Sequence, residues 1–273
     1  MSAVTPESAD AGRGPFLHRL NPLAKVAAVL PAMAVLLFTR NLLSPLAFVV
    51  LAVVVIFAGT RLRPGIVVGL LVALPLIVAA MAVSFGLWAD ASHASDPRIL
   101  FSIGAFDYTE WALAVGLATS LRLASLVMLA LIGGLTTTGP DLARSMVQQL
   151  RVPYRIGYTA IAAYRFIPRF GSELALIRQA QRVRGVAGGW GPIAAARRAF
   201  AAVVPLLASA IRHADRMALA MESRAFGAHP TRTERHPTPW RVRDTVFVLL
   251  FWVVTGAILA ITLTLAGAAA GRG

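Results

Sequence analysis

The chain has 273 residues, of which 58% are hydrophobic and only 14% are charged, whereas soluble domains carry about a quarter charged residues. The absence of cysteine excludes disulfides, cysteine zinc sites and thiol chemistry. The single lysine, Lys25, is followed by valine, which excludes a P-loop because that motif requires Gly-Lys-Ser/Thr. The composition therefore indicates an integral membrane protein, and any ATP that drives it must bind to another chain.

The net charge of +14 comes almost entirely from arginine. Such a charge is found in nucleic-acid-binding proteins and in the cytoplasmic loops of membrane proteins. Because the basic residues are not interleaved with aromatic ones, we predict a membrane protein with no nucleic-acid partner. The five histidines have no ligand-like spacing, and no HExxH motif occurs, so we predict neither a metal nor another cofactor.

Residues 1–15 are polar and are predicted to be a disordered N-terminal tail. Residues 16–138 are predicted to hold transmembrane helices 1–4, and residues 244–268 the last transmembrane helix. The first two spans are short enough to form a single re-entrant pair instead. An acidic polar loop over 89–110 precedes the fourth span. The predicted spans are 24–39, 42–59, 66–88, 111–135 and 245–267.

Residues 139–243 carry 17 arginines against five carboxylates and are predicted to form a cytoplasmic domain of long amphipathic helices. Helical spacing of apolar residues predicts helices over 155–184 and 192–226, with a break between them and a Pro-rich linker over 229–240. The positive-inside rule then places the N-terminus in the cytoplasm of a multi-pass protein of the cell membrane. The predicted fold class is an all-α integral membrane protein with about five transmembrane helices, in which the cytoplasmic helices lie between the fourth and fifth.

Two of these helices are predicted to end on an arginine, at "QAQRVRG" (179–185) and "AMESRAFG" (220–227). An arginine in the last turn followed by glycine is a common helix stop, because the cation interacts favourably with the helix dipole. The same end can also present an arginine fork to the carboxylates or carbonyls of a partner. Sequence spacing alone does not decide between these two interpretations.

Five segments together resemble the transmembrane T subunit of energy-coupling factor (ECF) transporters, the cobalt- and biotin-type permease family. The resemblance covers about 16–265. It depends on "LHRLNPLAK" (17–25), "LRLASLVMLALIGGLTTT" (121–138), "VPYRIGYTAIAAYRFIPRF" (152–170), "QAQRVRG" (179–185) and "DRMALAMESRAFG" (215–227).

The resemblance implies a non-catalytic coupling subunit of an ATP-driven vitamin or metal-ion uptake transporter. In that family two Ala-Arg-Gly motifs end the coupling helices and dock into grooves on a pair of ABC-type ATPases, while a small membrane S component binds the substrate. The matching triplets here are Val183-Arg184-Gly185 and Ser223-Arg224-Ala225, which keep both arginines. The first residue of each triplet differs from the alanine of the family motif, and the second triplet has alanine in place of the motif's glycine. The implied partners are two ABC-type ATPase subunits, the S component and the lipid bilayer.

Two other functions are open on the residues alone: a self-sufficient membrane carrier, and an integral membrane enzyme of lipid metabolism. Arg122 lies inside the fourth span, where it marks either a transport pathway or a structural role, by pairing with another group or by extending toward the membrane interface. Arg165, Arg169 and Arg178 are predicted to form a lipid-facing stripe at the inner membrane surface.

Overall fold

The structure is a computed structural model that describes residues 16–39, 41–60, 64–88, 99–103, 106–185, 191–230, 233–234 and 236–270. The predicted disordered tail over 1–15 and most of the predicted break between the two long helices of 139–243 lie outside these residues. Side chains are described for the same residues except 99–103, 106–107 and 266–270.

Helices account for most of the described residues. A 3-10 turn, Phe16–Arg19, precedes the first of them, and a π-helical segment, Gly69–Ala73, joins α3 to α4. The helices are α1 (Pro22–Phe38), α2 (Leu43–Gly59), α3 (Pro64–Val68), α4 (Leu74–Leu87), α5 (Glu110–Gly134), α6 (Gly139–Gln149), α7 (Tyr154–Val183), α8 (Pro192–Glu222) and α9 (Val242–Ala270).

Four helical stretches in the described part of the chain are long and apolar enough to cross a membrane. They are Pro64–Leu87, Glu110–Gly134, Pro192–Glu222 and Val242–Leu265. The predicted class, a helical integral membrane protein, is confirmed. Helices α1 and α2 have 17 residues each, or about 25 Å, slightly less than the ~30 Å hydrocarbon layer.

Helix α8 is not among the transmembrane spans predicted from the sequence, although it is long and apolar enough to cross a membrane. It belongs to 139–243, the segment predicted to form a cytoplasmic domain of amphipathic helices. The segment as a whole is rich in charged residues, but residues 199–211 within it contain no charged side chain. The charged residues of α8 lie on either side of this stretch, so its composition differs from that of the segment around it.

The acidic loop predicted over 89–110 contains a short antiparallel hairpin, β1 (Ile99–Ile103) and β2 (Phe106–Thr109), with Ile103 opposite Phe106. The hairpin leads directly into α5, because the hydroxyl of Thr109 accepts a hydrogen bond from the Ala112 amide and so caps the helix. The side chain of Tyr108 is buried, and its hydroxyl donates to the Ala82 carbonyl over 3.4 Å.

The chain divides into two compact units. Unit 1 consists of residues up to Thr138 together with those from Pro239, and unit 2 is Gly139–Thr238.

The core of unit 1 forms where α1, α2, α5 and α9 meet. Helix α1 contributes alanines one turn apart, which allow the neighbouring backbones to approach closely, as small residues do in membrane helix pairs. Larger side chains from the other three helices fill the remaining space, and Ser44 and Thr262 hydrogen-bond across α2 and α9 over 2.8 Å. The core residues include Ala24, Ala28, Ala32, Phe48, Ala52, Ile56, Met128, Ile132, Phe247 and Phe251.

Helices α4 and α5 approach most closely at two glycines. A Cβ on Gly116 would lie 2.1 Å from the Ala82 carbonyl oxygen and 2.8 Å from the Gly86 nitrogen. A Cβ on Gly86 would lie 2.2 Å from the Tyr108 hydroxyl. Both positions therefore require glycine for steric reasons.

Two buried charged residues fix the start of α1. Asp244 accepts hydrogen bonds from the Asn21 and Arg241 amides, each over 2.8 Å, and so joins the beginnings of α1 and α9. Lys25, the only lysine of the chain, is 1% exposed and donates to the Thr136 carbonyl over 2.9 Å and to the Thr137 hydroxyl over 3.2 Å. Lys25 thus satisfies backbone at the end of α5, where a cation is favoured by the helix dipole.

Arg122 has a structural partner in unit 1. Its guanidinium donates to the carbonyl of Thr39, the residue that caps the C-terminus of α1, over 2.5 Å. This contact between α5 and α1 agrees with a structural role for Arg122, which is one of the two interpretations that the sequence left open. It places a cation at the negative end of the α1 dipole.

Candidate functional site

Helices α7 and α8 of unit 2 run antiparallel. Phe166 and His213 meet edge-to-face with centroids 4.3 Å apart, and the Ser209 hydroxyl donates to the Glu173 carboxylate over 2.7 Å. Farther along, Tyr154 at the start of α7 meets Phe226 beyond the end of α8, with centroids 5.7 Å apart. Residues later in α7 contact residues earlier in α8, as expected for the two antiparallel helices of a helical hairpin.

The first predicted arginine end closes α7 as the sequence suggests. Val183 is the last helical residue and is 90% exposed. Arg184 caps the helix, its amide donating to the Ala180 carbonyl over 3.2 Å. Gly185 follows with φ +71° in the left-handed region, and its amide donates to the Arg182 carbonyl over 3.1 Å. The side chain of Arg184 has no hydrogen-bond or ion-pair partner among the described residues.

The second arginine end closes α8 with the Schellman motif. The Ala225 amide donates to the Glu222 carbonyl over 2.9 Å, and the Phe226 amide donates to the Met221 carbonyl over 3.0 Å. Ala225 has φ +55°. The helix predicted over 192–226 therefore ends at Glu222, because the chain turns into the left-handed region three residues later. Ser223, just after the helix, uses its hydroxyl to donate to the Ala220 carbonyl over 3.1 Å.

Arginine occupies the same position in both ends, immediately before the left-handed residue. Gly185 supplies that conformation in the first end and Ala225 in the second. The departure from glycine at position 225 therefore leaves the backbone turn intact, although an L-residue with a Cβ adopts this conformation at a cost of about 1–2 kcal/mol.

Replacing Ala225 with glycine is expected to stabilise the second end by about 1 kcal/mol, because the left-handed strain is relieved. The measurement is hydrogen exchange of the Phe226 amide, which we expect to slow about fivefold. Gly185→Ala is the matched reverse change, since no described atom lies within 4 Å of its Cβ position and only the backbone strain is added. Faster exchange at Phe226 in Ala225→Gly would contradict the argument.

Three further contacts fix the second end against the start of α7. The Arg155 guanidinium donates to the Gly227 carbonyl, and the Tyr154 hydroxyl donates to the His229 carbonyl over 2.6 Å. The Tyr158 hydroxyl donates to the Glu234 carboxylate. These contacts hold the turn that carries Arg224 against the start of α7, whereas Arg184 projects from the other end of α7.

The structure does not bring the two candidate triplets together. Phe226, next to the second triplet, contacts Tyr154, and Arg184 lies 30 residues farther along the chain at the other end of α7. At 1.5 Å per residue the two arginines are separated by on the order of 40 Å. One small binding site therefore does not hold both.

Arg224 lines an open groove of about 970 Å³ in unit 2, together with Arg144, Arg165 and Arg169. Arg165 and Arg169 belong to the predicted lipid-facing stripe, but the third member of that stripe, Arg178, does not line the groove. No pattern in the sequence was interpreted as this groove. A usable signal was the four-residue spacing of Tyr154 and Tyr158, and of Arg165 and Arg169, which places each pair on one face of α7.

Comparisons with known proteins agree with this architecture. Residues 14–235 match the model of the CbiQ family, described as cobalt transport protein. The energy-coupling factor transporter transmembrane protein EcfT of Streptococcus thermophilus is 29% identical over 92% of this chain and 93% of its own. EcfT of Bacillus subtilis is 28% identical over 89% of this chain and 92% of its own.

A putative ABC transporter ATP-binding protein of Bifidobacterium longum is 28% identical over 96% of this chain but only 34% of its own length. It is therefore a longer protein, about one third of which is similar to nearly all of this chain. Because the family model covers most of the sequence and the EcfT relatives align over nearly their full lengths, the chain belongs to the CbiQ family and is a transmembrane T component of the energy-coupling factor type.

Proposed function

We propose that the chain is the coupling subunit of an ATP-driven uptake transporter for a vitamin or a metal ion. It is a multi-pass protein of the cell membrane with its N-terminus in the cytoplasm, and it has no catalytic activity of its own. Two ABC-type ATPase subunits dock on unit 2, and a small membrane S component carries the substrate. The chain transmits the motion of the ATPases to that component.

The observation that carries this proposal is the shared geometry of the two arginine ends. Each arginine is exposed and stands at the end of a helix of about 30 residues, directly before a left-handed residue. The planar guanidinium has five donors and matches carboxylates and backbone carbonyls. A long helix that ends in such a group converts displacement of the docked partner into displacement of the whole helix. The proposed docking residues are Val183, Arg184, Gly185, Ser223, Arg224 and Ala225.

The separation of the two ends supports two ATPase subunits. Arginines on the order of 40 Å apart reach two separate docking sites, one on each ATPase. The Bifidobacterium relative supports the same partnership, since a protein named for ATP binding contains a segment similar to this entire chain.

The apolar face of α8 supports a membrane-embedded partner. Phe200, Val204, Leu207 and Ile211 are exposed and fall on one side of the helix. Exposed apolar side chains that lie together in this way mark an interaction surface, here for the S component or for lipid. Rotation or translation of α8 by a docked ATPase would move this face and so reorient the S component.

Affinity purification of the tagged chain from its native membranes in mild detergent tests the proposal. We expect one or two ABC ATPases and a small hydrophobic protein to copurify, and the ligand of the small protein would identify the transported substrate. Purification of a stable chain without an ATPase would contradict the coupling function and favour a self-sufficient carrier.

A further inference from the structure

The groove in unit 2 has a strongly positive lining. Four arginines line it, Arg144 from α6, Arg165 and Arg169 from α7, and Arg224 after α8, and three histidines lie among them. None of the lining residues that the structure describes is a carboxylate. A concave surface lined by one sign of charge concentrates counter-ions, so the groove attracts anions.

Three carboxylates of unit 2 already have partners. Asp141 forms an ion pair with Arg144 over 2.7 Å. Glu173 accepts a hydrogen bond from Ser209, and Glu234 accepts one from Tyr158. Within the described residues no carboxylate is paired with Arg165, Arg169 or Arg224, so these guanidiniums are available to an external anion.

The rest of the lining is mostly apolar. Ile161 and Phe166 of α7 face Met217 and Met221 of α8, and Phe226 closes one end. Methionine side chains are flexible and adapt to irregular apolar groups. The groove thus joins an anion-attracting rim to an apolar wall, a combination that suits an anionic amphiphile better than a small inorganic anion.

We propose that this groove binds an anionic phospholipid, with the headgroup phosphate on Arg165 and Arg169 and the upper part of an acyl chain along the Phe166–Met217 wall. The two arginines are one turn apart on α7 and are both exposed, so both can donate to one phosphate. The imidazoles of the lining supply further hydrogen-bonding groups.

Chain connectivity favours a lipid over a soluble phosphate. Unit 2 begins at Gly139, shortly after α5 ends at Gly134, and it ends at Thr238, shortly before α9 begins. Both α5 and α9 are long and apolar enough to cross a membrane. The two ends of unit 2 are therefore joined through a few residues to helices that can cross a membrane. Basic pockets of this kind on the cytoplasmic side of membrane proteins bind anionic headgroups.

The test is native mass spectrometry of the full-length chain, purified with the partners that accompany it, during titration with phosphatidylglycerol. Arg165→Gln combined with Arg169→Gln is expected to weaken phosphatidylglycerol binding about 25-fold, or about fivefold for each arginine removed. Phosphatidylcholine with the same acyl chains is expected to bind much more weakly than phosphatidylglycerol, because it has no net charge. Inorganic phosphate at millimolar concentration is expected not to displace the bound lipid.

Arg212→Gln combined with Arg216→Gln is the matched control. These arginines are four residues apart on α8 and are exposed, but they do not line the groove. We expect this control to change binding by about twofold or less, since isolated surface charges are screened. Equal losses in the two double variants would overturn the site in favour of general surface attraction.

Two other results would also overturn the proposal. Displacement by inorganic phosphate would assign the groove to a soluble anion. Loss of the copurifying ATPases from the Arg165→Gln/Arg169→Gln variant, with lipid binding unchanged, would assign the groove to a protein partner. The lipid site and the ATPase docking sites are thus tested by separate measurements, and either can fail alone.

Discussion

Replacing Arg184 and Arg224 together with glutamate is expected to lower the amount of ATPase that copurifies with the chain by about 100-fold or more. Truncating one partner of a buried, hydrogen-bonded charge pair at an interface costs about 2–5 kcal/mol, and a reversed charge adds repulsion. Two such sites lost together would cost about 4–10 kcal/mol, which corresponds to a loss of affinity of about 1,000-fold or more. The variant is expected to insert and fold normally, because both side chains are exposed.

The single variants sharpen this prediction. Since the two arginines lie on the order of 40 Å apart, Arg184→Glu alone is expected to release one ATPase and to leave the other attached through Arg224. Quantitative mass spectrometry of the purified complex measures the ratio of ATPase to T component. If the two ATPase subunits also bind each other, the ratio of ATPase to T component falls less in the single variants than in the double variant.

The control for this experiment is Arg178→Glu combined with Arg212→Glu. These residues lie on α7 and α8, are exposed, and give the same change in net charge without altering a helix end. ATPase recovery is expected to stay close to that of the unmodified chain. ATPase retained in the helix-end variant, or lost equally in the control, would remove the docking role from Arg184 and Arg224.

Gly116→Ala is expected to destabilise the membrane-spanning unit by about 2–3 kcal/mol. The added Cβ would lie 2.1 Å from the Ala82 carbonyl oxygen, and backbone atoms cannot rotate away as a side chain can. Helices α4 and α5 must then move apart, which lowers the packing energy along their whole contact. The free energy of unfolding, measured by denaturant titration in mild detergent, reports the loss.

Gly133→Ala is a control on the same helix, and its expected change in the free energy of unfolding has the opposite sign. No described atom lies within 4 Å of a Cβ at position 133, so only the helix propensity changes. Alanine is favoured over glycine in a helix by about 1 kcal/mol, and we expect a small stabilisation. Destabilisation of similar size in both variants would show that the contact between α4 and α5 at Gly116 is looser than these distances indicate.

The two helix ends illustrate how far local sequence reasoning reaches. Arg184-Gly185 carries the usual signal for a helix stop, and α7 ends there. Ser223-Arg224-Ala225 lacks the glycine, yet Ala225 adopts the same left-handed conformation. The contacts of Phe226 and Gly227 with the start of α7 hold that turn. The α7 residues that make these contacts lie 72 positions earlier in the sequence, so the local sequence around the turn does not indicate them.

Arg122 and the unit 2 groove depend on the tertiary structure in the same way. A charged residue inside an apolar span predicts a partner but does not identify it, and the structure places that partner, Thr39, 83 residues earlier. The arginines of the groove come from three elements, so their proximity follows from the antiparallel packing of α7 and α8 and from the position of α6.

The sequence by itself determined the membrane class, the helical architecture and the arginine-ended helices, because composition, helical periodicity and helix stops are local properties that neighbouring residues set. The tertiary structure alone decided that the two arginine ends lie far apart, that the two glycines of α4 and α5 meet, and that Arg144, Arg165, Arg169 and Arg224 share one groove. These features arise from contacts between residues distant in the chain. Such contacts follow from how apolar faces and small residues pack, which a one-dimensional pattern leaves open.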